Sequence, residues 1–276
     1  MFCYFNDKIV PLEEIKISPY DLGFLRGFGV FDFLRTYGGK PFRLADHIKR
    51  FRASANITKL PVPYSDGKIM ELTEELLEKN GRPECCIRIM LSGGVEPKLT
   101  APTFLILIEP LHTFPSECYT KGIKVATINE HRLYPTAKTT CYLPALKAQQ
   151  ELKNENPFEV IYAPDGNVLE ASTANIFIVK NGKLITPKDG ILLGITRQVV
   201  LELSVETKHA SSLQATESVI VLQELYTANE CFLTASNKEI MPVTEIDGRK
   251  IGDGQVGKIT KEVMKRFTEY TGVAIV

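Results

Sequence analysis

Hydrophobic and polar positions change period repeatedly along the chain. Residues 2–5 and 9–10 are short apolar runs on either side of Asn6-Asp7, which predicts two strands and a tight turn. Residues 30–37 read as a longer strand closed by Gly38-Gly39, with a further extended piece at 41–44. From Asp46, taken as the cap, the period becomes helical to about Ala55. Ser65-Asp66 open a second helix that carries Ile69, Leu72, Leu76 and Leu77 on one face, faces glutamates outward and ends at Gly81. Residues 87–91 and 103–109 are dense apolar runs of strand length around a Ser-Gly-Gly turn.

The second half mixes the two periods again. Strands are expected at 123–128, 158–163, 175–180, 183–186, 232–234 and 239–246, with Asp165-Gly166 and Asn181-Gly182 as turns. Helices are expected at 143–153, from Thr196 onward, and at the C-terminus, where Val256, Ile259, Val263, Phe267 and Tyr270 form one stripe. Because strands and helices do not alternate strictly, the expected class is α+β. The turn-rich stretch "PLHTFPSECYTKG" suggests two domains, 1–112 and 122–276, joined by a linker at 113–121.

Charge and cysteine content narrow the partners. Thirty-three basic residues balance thirty-three acidic ones, so neither nucleic acid nor an anionic membrane is expected as a partner. The longest apolar run, 104–108, is far short of a membrane span. The first ten residues show no secretory pattern. Six cysteines lack CxxC spacing and four histidines are scattered, so free thiols, no metal site and a cytoplasmic location are expected.

Chemistry is concentrated in four separated segments: "DHIKRFRASA" (46–55), "YPTAKTTCYLPALKAQQE" (134–151), "EASTANIFIVKNGKLITP" (170–187) and "LLGITRQVV" (192–200). In this order and spacing they resemble the class IV aminotransferases, the fold-type-IV enzymes that depend on pyridoxal 5'-phosphate. Such a cofactor needs a lysine for covalent attachment, an acid at its pyridine nitrogen and a cradle for its phosphate. The resemblance implies that Lys138, thirteen residues before Glu151, is the catalytic lysine. It implies that Glu170 meets the pyridine nitrogen, with Ser172, Thr173 and Ala174 leaving room for a flat ring. Arg50 corresponds to the arginine that grips the phosphate. After Gly194, the amides of Ile195 and Thr196 open a helix whose positive end suits a dianion. Ser236 and Asn237 occupy the late phosphate-side loop, where Asn237 departs from the usual threonine. Arg132 matches an arginine near the cofactor in the D-amino acid branch, although one residue closer to the lysine than in some relatives.

The branch is set by substrate contacts. Phe31 stands where one D-amino acid aminotransferase pattern has tyrosine, and "SGGVEPKLT" lacks that pattern's arginine–histidine pair. Arg26, which the resemblance to enzymes with shared active sites would bring from its own or a neighbouring subunit, and Arg88, the lone charge in an apolar strand, are the available cations for a substrate carboxylate. They resemble a less common D-amino acid subgroup. Tyr142 hints at the branched-chain enzymes, while the residues after Lys138 lack the pair favoured by 4-amino-4-deoxychorismate lyases. The order of expectation is therefore D-amino acid transamination, then branched-chain transamination, then the lyase. A binding protein without turnover is disfavoured by the intact trio Lys138, Glu170 and Arg50. The expected substrates are an amino acid and a 2-oxo acid such as 2-oxoglutarate or pyruvate, in a homodimer.

Overall fold

The computed structural model describes residues 1–95, 98–205 and 213–272. The chain forms two compact units, one made of Met1–His112 with Thr136–Cys141, the other of Thr113–Pro135 with Tyr142–Val276. The mixed helix-and-sheet class expected from the periodicity is the class adopted.

In the first unit the chain runs β1 (Phe2–Phe5), β2 (Lys8–Pro11), α1 (Leu22–Arg26), β3 (Gly29–Tyr37), β4 (Lys40–Pro41), α2 (Leu44–Thr58), α3 (Asp66–Lys79), β5 (Cys85–Ser92) and β6 (Thr103–Pro110). The strands form an antiparallel sheet in the order β2-β1-β6-β5-β3-β4. Ile48 and Phe51 of α2 and Ile69, Leu72, Leu76 and Leu77 of α3 are buried with Leu34, Ile87, Ile89 and Ile106 of the sheet. Each such side chain contributes about 1.5–3 kcal/mol on burial. Strand alternation therefore leaves Phe31, Phe33, Arg88 and Glu109 on the sheet's other face.

Two helix starts differ from the sequence expectation. α2 begins at Leu44 rather than Asp46, after Arg43 in a left-handed conformation. Asp46 sits inside the first turn, where it pairs with Arg43 at 3.2 Å and complements the helix dipole without capping. The extended piece expected at 41–44 shrinks accordingly to β4. By contrast, Ser65 caps α3 as expected, accepting the Lys68 amide.

The second unit contains α4 (Ser116–Thr120), β7 (Ile123–Ile128), α5 (Leu143–Glu151), β8 (Glu159–Tyr162), β9 (Asn167–Val168), β10 (Asn175–Lys180), β11 (Lys183–Pro187), α6 (Ile195–Val205), β12 (Ala215–Ser218), β13 (Ile220–Val221), α7 (Leu222–Tyr226), β14 (Glu230–Ala235), β15 (Glu239–Ile246), β16 (Arg249–Lys250) and α8 (Lys258–Thr271). Its main sheet runs β12-β11-β10-β14-β15-β7-β8, with β16 on β15. Ile176, Ile178, Leu233, Met241 and Val243 build its core, and Phe177 stacks on Phe232 with centroids 5.0 Å apart.

Val256, expected on the stripe of the closing helix, lies just before α8. The Glu230 carboxylate accepts the Ile259 and Thr260 amides at 3.1 and 2.7 Å. It occupies the space that a side chain at Gly257 would need, so a residue on a distant strand fixes where the helix starts.

Candidate active site

The first unit carries a lysine-centred cluster. Residues 136–141 return to β3: the Phe31 amide donates to the Lys138 carbonyl at 2.9 Å, and the Thr140 amide donates to the Gly29 carbonyl at 3.0 Å. The Lys138 amide donates to Ser54 Oγ at 3.0 Å, while that hydroxyl donates to the Arg50 carbonyl at 3.0 Å. Lys138 is thus tied through its backbone to the turn of α2 that bears Arg50. Its amine lies 4.6 Å from the centroid of the buried Phe31 ring.

Asp32, fully buried on β3, organises the same region. Its carboxylate accepts Nε and Nη2 of Arg50, both at 2.9 Å, and meets His47 Nδ1 at 2.6 Å. Burial alone would raise the Asp32 pKa, but the charge of Arg50 and the hydrogen bonds from His47 and Arg50 hold it well below the usual carboxylate range. Burial also depresses the His47 pKa, opposed only in part by Asp32. An acid between Phe31 and Phe33 in an apolar strand was the sequence signal for this clamp, and sequence reasoning passed over it.

Both shifts tie stability to pH in the same direction. With its folded pKa depressed, His47 stays neutral in the protein while the unfolded chain takes up a proton below its ordinary value of about 6.5. Stability from His47 is therefore present above about pH 6.5 and is lost as pH falls toward the folded value. Asp32 adds a second loss below its ordinary value of about 3.9. Urea midpoints measured from about pH 8 to 5 should fall most steeply below about pH 6.5, and His47→Gln should flatten that segment. An identical slope in the variant would remove His47 as the cause.

In the second unit three loops meet at one end of the sheet. They precede β10, follow β11 and join β14 to β15. Glu170 is buried in the first loop. One of its oxygens accepts Arg132 Nη1; the other accepts the Leu192 amide at 3.0 Å and Asn175 Nδ2 at 3.1 Å. Asn175 also donates to the Leu192 carbonyl at 2.7 Å, joining the first loop to the second. A side chain at Gly194 would lie 2.0 Å from Asn175 Oδ1, so only glycine permits this approach. α6 begins directly afterward, and the amides of Ile195 and Thr196 make no hydrogen bond among the described residues. Ser172 and Ala174 are buried, and Thr173 is exposed.

The third loop is held from beneath. Buried Lys238 places Nζ 3.2 Å from Glu159 Oε1, and the same carboxylate oxygen accepts the hydroxyls of Ser172 and Thr173. Half-buried Ser236 and Asn237 precede that lysine. Neither Lys238 nor Glu159 was singled out from sequence, although a lysine inside a strand-bounded turn was a usable signal.

The expected substrate cations fall into different settings. Arg88 lies in the first unit, with its guanidinium carbon 5.5 Å from the Phe31 ring and 4.7 Å from Phe33. It is engaged by Glu109, through Nε–Oε1 at 2.5 Å and Nη2–Oε2 at 3.0 Å. Arg26 is exposed at the end of α1 and hydrogen-bonds the Leu25 carbonyl at 3.3 Å. Tyr142 belongs to the second unit, before α5. Residues 96 and 97 of "SGGVEPKLT" lie outside the described residues. Among the described residues no group of three or more His, Cys, Asp or Glu could hold a metal ion, and no helix is long and apolar enough to cross a membrane.

The family model of class IV amino-transferases matches residues 29–246, a span that takes in both clusters, and the chain belongs to that family. The chain is 35% identical to a putative branched-chain-amino-acid aminotransferase of Methanocaldococcus jannaschii, covering 98% of this chain and 96% of that protein. It is 28% identical to a D-alanine aminotransferase of Staphylococcus haemolyticus over 97% and 96% of the two chains. Among solved structures it superimposes, at a TM-score of 0.90 and 25% identity, on a branched-chain amino acid aminotransferase from T.th., solved with pyridoxamine 5'-phosphate; 98% of this chain and 93% of that one are covered. The protein is therefore a transaminase with the fold-type-IV architecture, and its cofactor is pyridoxal 5'-phosphate. Both branches appear among the relatives, and the D-amino acid preference expected from Arg26 and Arg88 gains no priority from them.

Proposed function

We propose that the protein is a branched-chain amino acid aminotransferase, moving an amino group from a branched-chain amino acid to a 2-oxo acid. The observation that carries this reading is the 35% identity to the M. jannaschii protein across both chains, against 28% to the D-alanine enzyme. The Arg88–Glu109 pair supports it from within the molecule, because a neutralised arginine beside Phe31 and Phe33 suits an apolar substrate side chain. It also replaces the two-arginine carboxylate clamp of the D-amino acid reading.

The residues present fit the cofactor. Small residues at 172–174, open amides at the start of α6 and a fixed carboxylate are what a flat phosphorylated pyridine needs. When bound, the cofactor supplies an electron sink for the substrate α-carbon. Lys138 would hold it covalently and, as a free amine, would move the proton at the substrate α-carbon. Arg50, oriented by Asp32, binds the phosphate together with the amides of Ile195 and Thr196 and the loop of Ser236 and Asn237. Glu170 keeps the proton on the pyridine nitrogen, and Arg132 holds that carboxylate in place. A homodimer belongs to the same proposal, supported by exposed Ile17, Tyr20, Phe24 and Leu25 in the first unit; light scattering would read twice the chain mass.

The test is a donor survey with purified holoenzyme and a fixed 2-oxo acid. L-leucine, L-isoleucine and L-valine are expected to exceed D-alanine by at least about tenfold in kcat/KM, which is about 1.4 kcal/mol in transition-state binding. A preference for D-alanine would reverse the two branches.

A further inference from the structure

Two loops of the second unit share one buried anchor. Between β14 and β15, pairing ends at Ala235–Glu239, so Ser236, Asn237 and Lys238 form the turn. Glu239, where pairing resumes, has a φ of 54°, a left-handed conformation that a non-glycine residue adopts only at a cost. Lys238 is equally unusual, because lysine is almost never so buried unless it is paired. Its side chain is 7% exposed, and Nζ lies 3.2 Å from Glu159 Oε1 and 2.5 Å from Thr173 Oγ1. The same Glu159 oxygen accepts the hydroxyls of Ser172 and Thr173. One ammonium and one carboxylate therefore tie the turn of Ser236 and Asn237 to the loop of Ser172 and Thr173.

The two loops depend on this tie unequally. The first is also fixed by its backbone: the Ser172 amide donates to the Val160 carbonyl at 2.9 Å, and the Ala171 amide to the Ala174 carbonyl at 2.8 Å. Glu159 Oε2, in turn, is buried and makes no hydrogen bond among the described residues. A carboxylate so placed is costly unless a cation neutralises it. Lifting the turn away from β8 would strand that charge, so Lys238 confines the turn to one position.

We propose that Lys238, paired with Glu159, is a positioning residue for the cofactor's phosphate: it holds the turn so that Ser236 and Asn237 face that group. Lys238 acts through the turn, with its ammonium committed to Glu159 and Thr173. A site of this kind is only as precise as the residues that support it. This inference rests on the assignment of Ser236 and Asn237 to the phosphate in the function proposed above, and it names what holds them there.

The test uses the whole chain stripped of cofactor, as wild type, Lys238→Met, the double variant Lys238→Met/Glu159→Gln, and Ser236→Ala. Each is titrated with pyridoxal 5'-phosphate and with pyridoxal, which has the same ring and aldehyde but no phosphate. Absorbance of the bound form gives both dissociation constants without turnover. The preference for the phosphorylated form should fall by about 10–100-fold in both Lys238 variants, the worth of one charge-assisted contact, while pyridoxal affinity stays near that of wild type. The double variant leaves no buried charge unpaired, so it covers the case in which Lys238→Met does not fold. A pair with only a structural role would weaken both ligands alike. That parallel loss, or a preference within about twofold of wild type in the folded Lys238 variants, would overturn the proposal. Ser236→Ala separates the inference from the reading beneath it. An unchanged preference there removes this turn from the phosphate altogether, and the role of Lys238 with it. A reduced preference there, with none in the Lys238 variants, overturns the role of Lys238 alone.

Discussion

Replacing Lys138 with alanine is expected to abolish turnover while leaving a folded protein that still takes up the cofactor. The position is held by its backbone, with the amide on Ser54 and the carbonyl on Phe31, and neither bond involves the side chain that alanine removes. The phosphate contacts proposed for Arg50, Ile195 and Thr196 are likewise untouched. What disappears is an amine that both binds covalently and moves a proton. A positioned acid–base group alone contributes about 10²–10⁴-fold, so the loss should reach about 10⁴-fold or more. Stopped-flow single turnovers at saturating cofactor measure it, and the same samples report cofactor uptake by absorbance. Partial recovery with added small primary amines would identify the missing group as the amine itself. A Lys138→Ala enzyme within about tenfold of the native rate would remove Lys138 from the chemistry.

Much of this was legible in the sequence because the signals were local. Ser65 announces α3 through its own side chain, and the alternation in "CIRIML" places Arg88 on the face opposite the core. The ordered segments around Lys138, Glu170 and Gly194 carried the family. What escaped was tertiary. The start of α8 depends on Glu230, a residue of another strand, and no pattern near Val256 announces it. The return of 136–141 to β3 is a pairing of segments about a hundred residues apart, and nothing in "YPTAKTTCY" has the apolar alternation of a strand. Partners of charged residues were the other blind spot. Asp32 and Glu109 were visible as charges in or beside apolar strand runs, and Lys238 as a lysine in a polar turn between two strands. Burial without a partner is costly enough that each demanded one, but only the folded packing says which: α2 for Asp32, β5 for Glu109 and β8 for Lys238. For Arg88 that difference changes the reading: a cation presumed available for substrate is already engaged.

Glu170→Gln should give the second large effect, and the geometry says why a neutral isostere does not suffice. Three donors meet Glu170: Arg132 Nη1 at one oxygen, the Leu192 amide and Asn175 Nδ2 at the other. That arrangement suits an ionised carboxylate, which accepts at both oxygens. An amide offers one oxygen and one NH₂ group, so in either orientation a donor is turned against a donor. Facing Arg132, the NH₂ strands a mostly buried guanidinium; facing Leu192, it displaces the bond that joins two loops of the site. The negative charge that would keep the pyridine nitrogen protonated is lost in both cases. Removing one preorganised electrostatic group typically costs about 10²–10³-fold in kcat, and that is the expected loss at saturating cofactor. Glu170→Asp keeps the charge but shortens the reach, so its rate should fall between the parent and the glutamine variant. A purely structural carboxylate predicts something else: the two variants would lose thermal stability in parallel and retain kcat below their melting temperatures. Measuring kcat and the melting temperature together separates the cases, and a Gln variant with native kcat would leave Glu170 as a loop anchor only.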